Sequence, residues 1–130
     1  MPRKGKTMPQ PACEFDRPWL AHYDAPVSPH LDYPRIPLYR LLDDAALRFP
    51  DQPCTNFFGK QIGYRAMKLF TDRLAAGLRQ MGVRKGDRVA LLLPNSPQFL
   101  IAYFGALKAG AVVVPLNPLY TEHELTFHFN

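Results

Sequence analysis

An α/β fold is what this sequence predicts: a β–α–β layer with flanking helices, preceded by a proline-rich extended arm. Three observations carry that prediction. Arg88-Val89-Ala90-Leu91-Leu92-Leu93 is apolar on both faces, the pattern of a strand buried within a parallel sheet. Gln98 to Ala109 is rich in Phe99, Tyr103, Phe104 and Leu107 and has turn chemistry at both ends, which predicts a helix. Ala111-Val112-Val113-Val114 then supplies a second strand directly after Gly110. Strand, helix and strand in that order form a crossover unit, which takes the right hand.

The remaining elements follow in chain order. Residues 1–37 hold eight of the fourteen prolines and almost no periodic apolar pattern. Proline removes backbone donors and biases its neighbours towards extended conformations, so this part reads as a largely irregular arm. Residues 38–130 then form an incomplete α/β unit. Pro37 can occupy the first turn of a helix running to about Arg48, where Leu38, Leu41, Leu42 and Ala45 recur at helical spacing before Phe49-Pro50 ends it. Thr55 to Phe58 and Gly59 to Ile62 read as a hairpin turning at Gly59-Lys60. From Tyr64 to Met81, Met67, Phe70, Leu74, Leu78 and Met81 form one stripe, with Arg65, Lys68, Asp72, Arg73 and Arg79 facing water. Gly82 suits the left-handed residue after that helix, and Val83 to Asp87 is a polar turn. Ser96 is placed to cap the next helix with Pro97 at its first position. Thr121-Glu122-His123-Glu124 has capping-box spacing and opens a last helix of about nine residues, with no strand after it.

Composition excludes several function classes. The chain has 130 residues, 47% of them hydrophobic, which suits one domain at most with a modest core. The formal net charge of +5 is dispersed: apart from Arg3, Lys4 and Lys6, the basic residues alternate with acids, as in Asp72/Arg73 and Lys85/Asp87/Arg88. Nucleic-acid binders concentrate charge in a stripe or patch, so no nucleic-acid partner is expected. Cys13 and Cys54 lack a CxxC partner or a histidine cluster and read as inert thiols in a reducing compartment. The start has no apolar core of the length a secretory signal needs, and no apolar run approaches the roughly 20 residues of a membrane span, so the expected location is cytoplasmic.

The run Leu107-Lys108-Ala109-Gly110-Ala111-Val112-Val113-Val114-Pro115-Leu116-Asn117 resembles the LKAG-x-x-x-x-P-x-[ND] motif of the adenylate-forming superfamily, which includes acyl-CoA synthetases, luciferases and peptide-synthetase adenylation domains. Gly82-Val83-Arg84-Lys85-Gly86-Asp87-Arg88-Val89-Ala90, with Pro94-Asn95-Ser96, is similar to the segment that precedes that motif in the family. The similarity extends from about Leu38 to the terminus. Asn117-Pro118-Leu119-Tyr120-Thr121, with Glu124-Leu125, resembles the form common in medium- and long-chain fatty acyl-CoA ligases, as does the arm Arg17-Pro18-Trp19-Leu20 with Leu31-Asp32-Tyr33-Pro34. The fold expected is therefore a partial N-terminal subdomain of an adenylate-forming enzyme. One departure stands out. Where the family reads roughly [LI]-[TS]-Y-x-E-L, this chain has Ile62-Gly63-Tyr64-Arg65-Ala66-Met67, losing a hydroxyl cap at a cost of about 0.5–1 kcal/mol, less for glycine.

The resemblance implies a two-step reaction: a fatty carboxylate attacks the α-phosphorus of ATP to give acyl-adenylate and pyrophosphate, and the thiol of coenzyme A then displaces AMP. It implies ATP, Mg2+ and coenzyme A for the intact enzyme, fatty acid as substrate, and compatibility with a homodimer and with peripheral membrane association. None of the family's phosphate-loop, magnesium or carboxy-terminal lysine motifs occurs in this stretch. No catalytic, cofactor-binding or metal-ligating residue is assigned, and the 130-residue chain alone is expected to be inactive and to bind none of these cofactors tightly. Gly82 to Gly86 enters a strand rather than opening a helix and reads as a plain turn. Asn95-Ser96 is read as capping, and His123 and His128, five apart, do not stack on one helical face. Tyr120 and Trp19 could line an acyl tunnel or a subunit contact, packing being the simpler role. Alternatives are a ligase for an aryl or aminoacyl carboxylate, and a non-catalytic interaction module or truncated gene product.

Overall fold

The computed structural model describes residues 17–28 and 30–129. The chain divides into two units, residues 1–35 and 36–130. In the described part of the first unit, Pro18–His22 form a single 3-10 turn, closed by the Leu20 amide on the Arg17 carbonyl, and every residue but Leu20 is exposed. Arg3, Lys4, Lys6 and Cys13 lie outside the described residues.

The second unit contains α1 (Tyr39–Arg48), β1 (Pro53–Phe57), β2 (Lys60–Gly63), α2 (Tyr64–Gln80), β3 (Arg88–Leu91), α3 (Pro97–Ala109), β4 (Val112–Pro115) and α4 (Glu122–Phe129). β1 and β2 are antiparallel, while β3 and β4 pair in parallel with Arg88 opposite Val112 and Leu91 opposite Pro115. The core lies where α1, α2 and α3 meet the parallel pair: Leu42, Ala46, Met67, Ala75, Leu91, Ala106, Ala109, Ala111 and Leu116 are buried. Alanine recurs there because it lets helix backbones approach closely, and Gly105 of α3 goes further by facing Leu74 of α2 with no side chain of its own.

Both helices flanking β3 stop by the same device. Gly82 has φ 98°, its amide reaches the Arg79 carbonyl, and the Val83 amide reaches Leu78. Gly110 has φ 93°, its amide reaches Leu107, and the Ala111 amide reaches Ala106. Each pair is a Schellman closure, which satisfies otherwise orphaned carbonyls and needs a left-handed residue.

Four expectations are corrected. The hairpin turns at Phe58-Gly59 rather than Gly59-Lys60, since Phe57 pairs with Lys60. Both loop residues have positive φ, 49° and 78°, as a type I′ turn requires. The buried ridge of α2 is Met67, Thr71 and Ala75, one residue per turn, while Phe70 is partly exposed and Met81 is 81% exposed. The hydroxyl of Thr71 tolerates complete burial because it donates to the Lys68 carbonyl at 2.8 Å. β3 is covered on one face only: Leu91 is buried, but Arg88, Ala90 and Leu92 are exposed because no described element lies over them. The Ser96 hydroxyl makes no capping bond; its carbonyl alone accepts the Phe99 amide.

The missing cap at Gly63 is offset by tertiary structure. The Tyr64 and Arg65 amides donate to the Gln52 and Pro50 carbonyls, each at 3.1 Å, so the loop before β1 does what a hydroxyl would have done. The capping box at Thr121 forms as read: its hydroxyl accepts the Glu124 amide at 3.4 Å, and the Glu124 carboxylate accepts the Thr121 amide at 2.7 Å. That bond from the Thr121 amide, then one from its hydroxyl, hold the Glu124 carboxyl below its ordinary range.

Phe58 is a bulky residue in a left-handed conformation that asparagine tolerates far better. Phe58→Asn is expected to raise stability by about 0.5–1 kcal/mol, read as a higher urea midpoint at unchanged slope.

Candidate functional site

Four charged residues from three helices meet at one place. α1 brings Asp43, α2 brings Lys68 and Asp72 one turn apart, and the last turn of α3 brings Lys108. The Lys108 ammonium lies 2.5 Å from the Asp43 carboxylate and 2.6 Å from that of Asp72, with its side chain only 7% exposed. The Lys68 ammonium lies 2.5 Å from the other oxygen of Asp72 and 3.9 Å from Asp43. Arg79 closes the arrangement by donating to the Lys108 carbonyl at the end of α3. Tyr39 and Ala75 complete the walls of an open cleft of about 330 Å³ around it.

Electrostatics define what this cluster can do. Burial pushes the Asp72 carboxyl up, but hydrogen bonds from Lys108 and Lys68 outweigh that and hold it below its ordinary value. The Asp72 hydrogen bond in turn raises the Lys68 ammonium, against a smaller opposing effect of burial. Two carboxylates are matched by two ammoniums, leaving no free base and no surplus charge for a cation. The cluster is a clamp on α1, α2 and α3. Asp72, read from sequence as a solvated surface residue, is instead one of its members.

A pH dependence follows from the lowered Asp72 group. A carboxyl with a depressed folded-state pKa adds stability above its unfolded value, 3.8, and loses it as pH falls through the folded value. Thermal midpoints should therefore fall as the pH drops below about 4. The Asp72→Asn variant should be less stable at neutral pH and show a flatter acid limb.

The other sequence-level candidates resolve as follows. In the Gly82 to Asp87 turn, the amides of Gly82, Val83, Gly86 and Asp87 donate to the carbonyls of Arg79, Leu78, Gly110 and Arg84, and the Arg84 amide donates to the Asp87 carboxylate at 2.7 Å. These donors are taken up by the chain's own acceptors. His123 and His128 both lie on α4, where the His128 ring stacks on Tyr120 with centroids 5.1 Å apart. Among the described residues no group of three His, Cys, Asp or Glu side chains could hold a metal. Cys54 sits at the irregular point of β1, and burial pushes its thiol up, away from the reactive thiolate. A groove of about 440 Å³ runs between β1 and the start of α3, lined by Thr55, Phe57, Pro97, Phe99 and Leu100 among others, and the Thr55 hydroxyl is buried there without a partner.

The profile described as AMP-binding enzyme matches residues 42–130. The chain belongs to this family. It is 46% identical over 114 residues to a long-chain-fatty-acid–CoA ligase of Bacillus subtilis, covering 88% of this chain and 20% of that protein. The N-terminal subdomain of Klebsiella oxytoca NpsA, solved with anthranilyl-AMSN, superposes with a TM-score of 0.67 at 32% identity, over 69% of this chain and 24% of that one. The N-terminal domain of FACL13 from Mycobacterium tuberculosis superposes with a TM-score of 0.67 at 34% identity, over 71% of this chain and 24% of that one. The chain thus spans about a fifth of the length of the curated relative, and its α/β fold is part of the N-terminal subdomain of adenylate-forming enzymes.

Family membership gives the motif a physical reading. Lys108 is the centre of the helix clamp, Ala109 is buried, and Gly110 takes the left-handed turn into β4. A Cβ at Gly110 would approach the Lys85 Cα to 3.3 Å, so glycine also lets the Lys85-Gly86 turn pack against the helix end. The motif's residues in this chain build the layer.

Proposed function

We propose that this chain forms the opening lobe of an ATP-dependent acid–thiol ligase that converts a long-chain fatty acid to its acyl-adenylate and then to its coenzyme A thioester. The observation that carries this reading is the 46% identity over 114 residues to a long-chain-fatty-acid–CoA ligase. In the first step a carboxylate oxygen forms a bond to the α-phosphorus of ATP and pyrophosphate leaves; in the second the thiol sulfur bonds to the acyl carbon and AMP leaves. Neither the Gly82 to Asp87 turn nor the helix clamp fits ATP, Mg2+ or coenzyme A: the turn amides donate internally, and Asp43 and Asp72 are each held by lysines. Their task is to hold α1, α2, α3 and the β3–β4 pair in register, and the cofactor-binding and catalytic groups belong to the part of the relatives that this chain does not match. A cytoplasmic location, a homodimer and a peripheral membrane contact belong to the same reading. No helix among the described residues is long and apolar enough to cross a membrane.

A graft tests this. The matched segment of the Bacillus subtilis ligase is replaced by that of this chain, and ATP–pyrophosphate exchange is followed with palmitate and Mg2+. Exchange that depends on palmitate supports the reading, while a folded graft without exchange on any carboxylate overturns it. The 130-residue chain alone should give no exchange. A second reading, an aryl acid as substrate, is favoured by the likeness to the anthranilyl-bound NpsA subdomain; exchange with anthranilate but not palmitate would select it.

A further inference from the structure

We draw no further inference here: the strongest candidate, the groove between β1 and the start of α3 where the Thr55 hydroxyl is buried without a partner, lies open on a chain that spans about a fifth of its curated relative, and nothing in the structure shows what covers it.

Discussion

Lys108→Ala is expected to destabilise the 36–130 unit by about 2–3 kcal/mol, a drop of roughly 10–20 °C in thermal midpoint for a unit of this size. Lys108 is the least exposed member of the clamp and the only one that bonds carboxylates from two other helices, Asp43 on α1 and Asp72 on α2. Removing it leaves Asp43, with a side chain 17% exposed, facing Asp72 with only Lys68, 3.9 Å from Asp43, between them. Breaking a buried pair from one side commonly costs more than this. Here the figure is discounted because the Asp72 side chain is 42% exposed and rehydrates. A second variant separates charge from packing. Lys108→Met keeps the stem and loses the charge, and Lys108→Met with Asp43→Leu should recover most of the loss, because no unpaired charge then remains beside the apolar pair. If Lys108→Met alone melts with wild type, the clamp contributes no net stability and serves only to fix geometry.

Gly105→Ala should destabilise although alanine is the better helix former. In an exposed helix interior that exchange stabilises by up to about 1 kcal/mol. At Gly105 the new Cβ would lie 2.8 Å from Leu74 Cδ2, 3.0 Å from its Cβ and 3.1 Å from its Cγ. Rotating the leucine end relieves the first contact and not the second, so α2 and α3 must move apart. A net loss of about 1–2 kcal/mol is expected, and Gly105→Val should lose more. Gly77 is the matched control: it is helical, and a Cβ there would meet nothing within 4 Å. Gly77→Ala should therefore gain about 0.5–1 kcal/mol by the same urea titration. Opposite signs for one substitution in two packed helices would locate the close approach at Gly105 alone.

The elements legible from sequence were those whose cues are local. Helix ends at Gly82 and Gly110, the capping box at Thr121 and Glu124, and the strand–helix–strand order of β3, α3 and β4 all depend on residues within a few positions of one another. The α2 stripe was less legible, because hydrophobicity put Phe70 and Met81 on it while the tight approach of α3 selected Thr71 and Ala75. The hairpin turn was misplaced by one residue for a related reason: Phe58 carries no turn signal, and pairing of Phe57 with Lys60 imposes the left-handed conformation on it.

The candidate site divides along the same line. The motif from Leu107 to Asn117 marked the family without any coordinates, because a long ordered run of residue types is information held along the chain. The partners of Lys108 could not be read that way. Asp43 stands 65 positions and Asp72 36 positions from it, and neither carries a local signal that distinguishes it from a solvated acid. Likewise the Gly63 cap looked deficient until the carbonyls of Pro50 and Gln52 were seen beside it. Sequence alone determined the lineage and the order of elements, since backbone propensity and capping act over a few residues. Tertiary structure decided which charges are buried together, which glycine must stay a glycine and which phenylalanine is left in water, since those depend on distances that only packing sets.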